Sequence, residues 1–159
     1  MSQTYALYRS LSRLPLGIGQ RVFSYVFARR ARYFSTIRPV FIDVRPHHAS
    51  LRLKHRKAVH NHIGTVHAIA VCNGLEAAMG ALAEATTPEG MRWLPKGMEV
   101  SYLAKSSSDL VCEASTTAAD WAAAPDVPVR VRATRSDGTV TVEGVIRLWV
   151  TPGPEQSAR

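Results

Sequence analysis

The first 42 residues contain no aspartate, no glutamate and no lysine, yet they hold seven arginines, at 9, 13, 21, 29, 30, 32 and 38. The rest of the chain carries the other 13 Lys and Arg against all 12 acids, so the net charge of +8 sits almost wholly on the N-terminal segment. A uniformly basic nucleic-acid-binding domain does not divide this way, and no nucleic-acid partner is expected. Apolar stretches are interrupted by polar residues well before twenty positions, so no membrane-crossing helix is expected. Only two cysteines occur, forty positions apart and outside any C-x-x-C. They read as free thiols packed as small hydrophobes in a reducing cytoplasm. No G-x-G-x-x-G, P-loop or G-x-S-x-G is present, which leaves nucleotide phosphates without a dedicated cradle and a serine nucleophile without its elbow. Nothing at the N-terminus resembles a secretory signal, because Pro15, Gly17 and Gly19 break its apolar stretch. Its arginine-rich, acid-free composition is shared with organelle transit peptides.

Within the 159 residues, 46% are hydrophobic and 20% charged, as in a soluble globular protein. Residues 20–36 place Val22, Phe23, Val26 and Phe27 near one helical face with arginines beyond. Such a helix either packs on its own domain or lies on a membrane surface, and the second reading extends over residues 5–36. From Val40 the period drops to two. Val40, Ile42 and Val44 alternate with Phe41, Asp43 and Arg45, and Leu51 and Leu53 alternate with Arg52 and Lys54. Residues 65–85 form the one long helix of the body, with Thr65 as N-cap. Its many alanines and glycines imply that something approaches the backbone closely. Strands follow at 97–104, 108–116, 127–134 and 139–150, with Ser136-Asp137-Gly138 as a hairpin signal and 120–128 as a loop. The class is α+β. Three units result: a basic helical segment over 1–39, a domain over 40–150 and a disordered tail over 151–159.

All six histidines fall between His47 and His67. No acid lies between Asp43 and Glu76, and His60-x-His62 with His67 lacks a clear ligand set, so no metal is expected. The chemistry therefore concentrates at the start of the long helix. First-turn N–H groups lack intrahelical acceptors and carry a partial positive charge, which suits an oxyanion formed in acyl transfer. Glu76 follows His67 by nine residues, about 13.5 Å along the axis and half a turn off. It cannot reach its own helix start. It can serve the start of an antiparallel neighbouring helix, and this spacing implies a homodimer with two shared sites.

The string N61-H-I-G64-T65-V-H67, with Glu76 nine residues on, resembles the signature of hotdog-fold thioesterases of the PaaI-like type. P95-K-G-M-E-V-S-Y102 resembles an uncharacterised branch of that superfamily. The resemblance implies a hotdog fold, an antiparallel β-sheet wrapped around one long central helix. It implies hydrolysis of an acyl-CoA thioester in a homodimer, or a dimer of dimers, without a cofactor. The site residues it implies are Ala68 N–H, with Ile69 N–H, as oxyanion donors, Asn61 orienting carbonyl or water, and Glu76 as base or nucleophile. His67 lies beside them, Gly64 and Thr65 shape the substrate loop, and Lys96 would meet coenzyme A phosphates or remain a solvated strand charge. The chain departs from the family at the usual His-Gly-Gly, which here is His67-Ala68-Ile69, and the added methyl groups narrow the approach. A second reading is therefore a non-catalytic module that binds an acyl chain or acyl-CoA and docks through its N-terminal helix.

Overall fold

Val40–Arg45 (β1) and His48–Leu53 (β2) form the first hairpin in the computed structural model, which describes residues 2–153. Two helices precede it, α1 (Gln3–Leu11) and α2 (Ile18–Arg30), followed by a 3-10 turn at Arg32–Thr36. The central helix α3 spans Ala68–Thr86. Four strands complete the body: β3 (Met91–Tyr102), β4 (Leu110–Ser115), β5 (Asp126–Arg135) and β6 (Val140–Pro152). They pair antiparallel throughout, in the order β1-β2-β4-β5-β6-β3, so β1 and β3 are the two edges.

The sheet wraps α3, whose Val71, Leu75, Met79 and Leu82 are buried against Leu51, Leu53, Leu110, Ile146 and Leu148. Length and composition would let α3 cross a membrane, contrary to the sequence expectation, but here it is the largely buried core helix. The close approach implied by its small residues is real at Gly74. A Cβ there would lie 2.8 Å from Cys112 Sγ on β4.

Three local expectations are corrected. β1 carries a bulge between Phe41 and Asp43, and the extra residue reverses the alternation. Phe41 is 1% exposed and Ile42 42%. Helix α3 starts at Ala68 with His67, not Thr65, as N-cap, because the Thr65 backbone is tied into the preceding loop. Residues 118–122 form a short helix, α4, where a loop was expected, stabilised by a reciprocal capping box between Thr117 and Asp120. Pro95 is tolerated inside β3 because the strand is at an edge and bulges between Pro95 and Gly97.

The N-terminal helices share the core. Phe23 packs edge-on against Tyr8 and Phe41, at centroid distances of 5.0 and 5.2 Å. Ser24 Oγ accepts the Phe41 N–H at 2.8 Å, which fixes α2 to β1. Thr151 and Pro152 continue β6, and residues 154–159 of the expected tail lie outside the described residues.

Candidate active site

The segment from His60 to His67 closes on itself before α3 begins. Asn61 Oδ1 accepts the N–H groups of Ile63 and Thr65, both at 3.1 Å, and Asn61 Nδ2 donates to Thr65 Oγ1 at 2.9 Å. The Gly64 N–H donates to the Asn61 carbonyl, and Gly64 takes φ +78°, a left-handed turn that a side chain would strain. His55 Nε2–H donates to the Gly64 carbonyl at 3.0 Å. With His55 donating through Nε2, the 3.3 Å contact between His60 Nε2 and His55 Nδ1 runs from His60 to His55. Asn61 thus builds the loop first and retains a single uncommitted Nδ2 hydrogen.

At the helix start, His67 Nδ1 accepts the Ile69 N–H at 3.1 Å, and the His67 carbonyl accepts from Val71. The Ile69 N–H is therefore unavailable to a substrate, which corrects the expected pair of oxyanion donors. Ala68 and Ala70 keep first-turn N–H groups without intrahelical acceptors. A groove of about 370 Å³ opens here, lined by Asn61, Thr65 and Ala68 on one side and Tyr102, Lys105 and Val142 on the other. Neither His67, which acts as the cap, nor Ile69, 54% exposed, lines this groove.

Glu76 is half-buried and lies eight residues beyond Ala68, about 12 Å along the axis. Among the described residues no hydrogen-bond or ion-pair partner is found for it. Its neighbours on α3 locate it relative to β3. Cys72 Sγ lies 3.6 Å from the Tyr102 hydroxyl, and Gly80 faces the Trp93 ring. Glu76 sits between these two contacts, on the helix stripe that looks towards the edge strand. The structure does not bring Glu76 to the Ala68 groove of its own chain. Nor does it bring Lys96 there. Lys96 Nζ sits 3.6 Å from Asp126 Oδ2 and 4.4 Å above the Trp149 ring. It is six residues, about 20 Å, from Tyr102 along β3.

Tyr102 and Lys105 at the groove, and Asn73 elsewhere on α3, were assigned no role from sequence. Tyr102 lines the groove, and its hydrogen bond to Cys72 pushes its hydroxyl pKa up. Lys105 belongs to a serine-rich turn readable only as a turn. Asn73, buried in α3, donates to the Tyr33 carbonyl and to Thr36 Oγ1, so that it fastens the N-terminal turn over the helix. Its position was masked by the small-residue pattern around it.

The antiparallel sheet wrapped around α3 defines a hotdog fold. More particularly, residues 19–150 match the family described as a domain of unknown function (DUF4442), and the chain belongs to that family. It is 35% identical to the crystal structure named genomics APC5556, with a TM-score of 0.83, covering 94% of this chain and 99% of that one. A protein of unknown function from Pseudomonas aeruginosa, named Probable Thioesterase, shares 16% identity with a TM-score of 0.71, over 82% of this chain and 93% of its own. A thioesterase family protein from Silicibacter pomeroyi shares 18% identity with a TM-score of 0.68, over 84% and 98%. No curated protein matches the chain.

Proposed function

We propose that the protein hydrolyses an acyl thioester of the coenzyme A type at two sites shared across a homodimer. One observation carries this reading. The helix holds two incomplete halves, an open amide at Ala68 on a groove and a half-buried carboxylate at Glu76, unpaired among the described residues, beside edge strand β3. The uncovered edge supports the dimer. Leu94 is 61% exposed and Tyr102 57%, with Met98 and Leu103 also open, which is a costly surface for a solitary chain. Pairing two β3 edges would set the helices antiparallel and carry each Glu76 towards the other chain's Ala68.

In the proposed reaction, Glu76 of the partner subunit takes a proton from water as the oxygen attacks the thioester carbon. The carbonyl electron pair moves to oxygen and is held by the Ala68 N–H, an interaction typically worth about 2.7–4 kcal/mol in the transition state. Collapse reforms the carbonyl and breaks the C–S bond. The thiolate leaves with the proton from Glu76, giving a carboxylic acid and a free thiol. In a variant of this route the carboxylate itself attacks, expels the thiolate and forms an anhydride that water opens.

A binding module without turnover is the second reading. It is favoured by the engagement of Asn61 in its own loop and by the capture of the Ile69 N–H by His67. Thiol release from short, long and aryl acyl-CoAs separates the two. Turnover that is lost in Glu76→Gln supports hydrolysis. Saturable acyl-CoA binding without thiol release supports the module, and turnover unchanged by Glu76→Gln removes the proposed base.

A further inference from the structure

The acid-free N-terminal segment forms a cleft separate from the Ala68 groove. On α2, Ile18, Arg21, Val22, Tyr25 and Arg29 recur at helical spacing and are all exposed, so one outward stripe alternates apolar or aromatic groups with arginine. Leu16, in the turn between α1 and α2, is 91% exposed. Beside this stripe lies a cleft of about 650 Å³ between α2, the Arg32–Thr36 turn and the start of β1. Arg21, Arg29, Arg32 and Arg38 line its walls, and Ala28 and Pro39 are buried in its floor. Among the described residues none of these guanidiniums pairs with a carboxylate. Arg29 only donates to the Tyr25 hydroxyl at 3.1 Å and lies 5.4 Å over the same ring.

We propose that this face of α2 docks on a membrane carrying anionic phospholipids, with a lipid phosphate seated among the four arginines. Guanidinium forks match phosphate oxygens, and uncompensated cations in one cleft attract a group of opposite charge. A soluble phosphate would account for the cleft but not for the apolar stripe and Leu16 beside it. An amphipathic helix with arginine and exposed aliphatic side chains fits a lipid interface on both counts. The cleft borders β1, at the opposite end of the sheet order from β3, so docking here leaves that other edge free.

Co-sedimentation of the full chain with vesicles tests the assignment. Binding is expected to phosphatidylcholine vesicles containing phosphatidylglycerol, weakening as salt rises, and not to phosphatidylcholine alone. Each arginine removed near an anionic surface costs about fivefold, so Arg21→Gln with Arg29→Gln lowers partitioning roughly 25-fold. Leu16→Ser should lower it further, whereas Arg52→Gln, on an exposed site of β2, should leave it unchanged. Circular dichroism and melting temperature confirm that each variant is folded. Equal binding to neutral vesicles, no binding to either, or full binding by the double arginine variant would overturn the proposal. Stabilisation by pyrophosphate without vesicle binding would also overturn it, assigning the cleft to a soluble ligand.

Discussion

His67 holds the amide of Ile69, its Nδ1 accepting that N–H at 3.1 Å, so the histidine of the motif acts on its own helix. An N-cap of this kind is worth about 1 kcal/mol. His67→Ala should therefore lower the melting temperature by roughly 2–4 °C in a chain of this size. His67→Asn restores a capping oxygen and should recover both stability and the rate of the proposed thioester hydrolysis. A rate that stays low in the well-folded asparagine variant would assign the imidazole a direct chemical part.

Because His67 occupies the Ile69 amide, the Ala68 N–H becomes the donor that can be removed selectively. Ala68 is the first helical residue, where proline is accepted and the preceding residue is already extended. Ala68→Pro should keep the fold and lower kcat by about 10²–10³, the usual cost of one oxyanion donor. Ala68→Gly retains the N–H and should retain the rate. Equal rates in the proline and glycine variants would exclude this amide from the mechanism.

Glu76→Gln removes the proposed base without changing shape. A loss of about 10²–10⁴ in kcat is expected, with little change in melting temperature since no partner is lost. Mixing the inactive Glu76→Gln chain with an inactive Ala68→Pro chain gives the sharper measurement. If the site is shared, heterodimers contain one intact Ala68–Glu76 combination, and activity returns towards half of one wild-type dimer. Absence of any recovery after confirmed subunit exchange would place both groups in the same chain.

Gly74 and Cys112 meet where α3 presses on β4, and Gly74→Ala puts a methyl group into the 2.8 Å gap. Overpacking of this kind costs about 1–3 kcal/mol. Cys112→Ala opens space, so the double variant should be more stable than the sum of the two single changes predicts. Burial also pushes the Cys112 thiol up to about 12, which leaves it protonated and inert at neutral pH. One thiol per chain, Cys72, should label in the native state and two after unfolding.

The elements readable from sequence were those whose side chains report burial directly. Alternation marked β5 and β6, and the small-residue run marked α3. The outward turn of Glu76 followed from helical pitch alone, since rise and rotation are fixed by the backbone. What stayed hidden depended on contacts distant in sequence. The β1 bulge is set by Phe41 seeking Phe23 and Phe27, and periodicity contains no record of that aromatic cluster. Thr65 has the composition of an N-cap, yet Asn61 claims its backbone and hydroxyl, which passes the cap to His67. Lys96 stayed open in sequence between a phosphate contact and a solvated strand charge, because its neighbours Asp126 and Trp149 lie at least thirty positions along the chain. Thr117-x-x-Asp120 was a legible capping box and would have predicted α4.

The histidine pair beneath the Asn61–Thr65 loop is expected to make stability depend on pH. His60 and His55 lie 4.1 Å apart between ring centroids. Partial desolvation, and then the charge of His55, hold the His60 pKa below its ordinary 6.5. The unfolded chain therefore binds a proton on His60 that the folded chain resists. This contribution to stability is present above pH 6.5 and is lost as pH falls below it. The melting temperature should drop between about pH 7 and pH 5, and His60→Asn should flatten that slope. His60 donates to the His55 ring that holds the Gly64 carbonyl, so hydrogen exchange at residues 61–65 should accelerate over the same interval. Acid-induced loosening that is equal in wild type and His60→Asn would detach this pair from the stability of the loop.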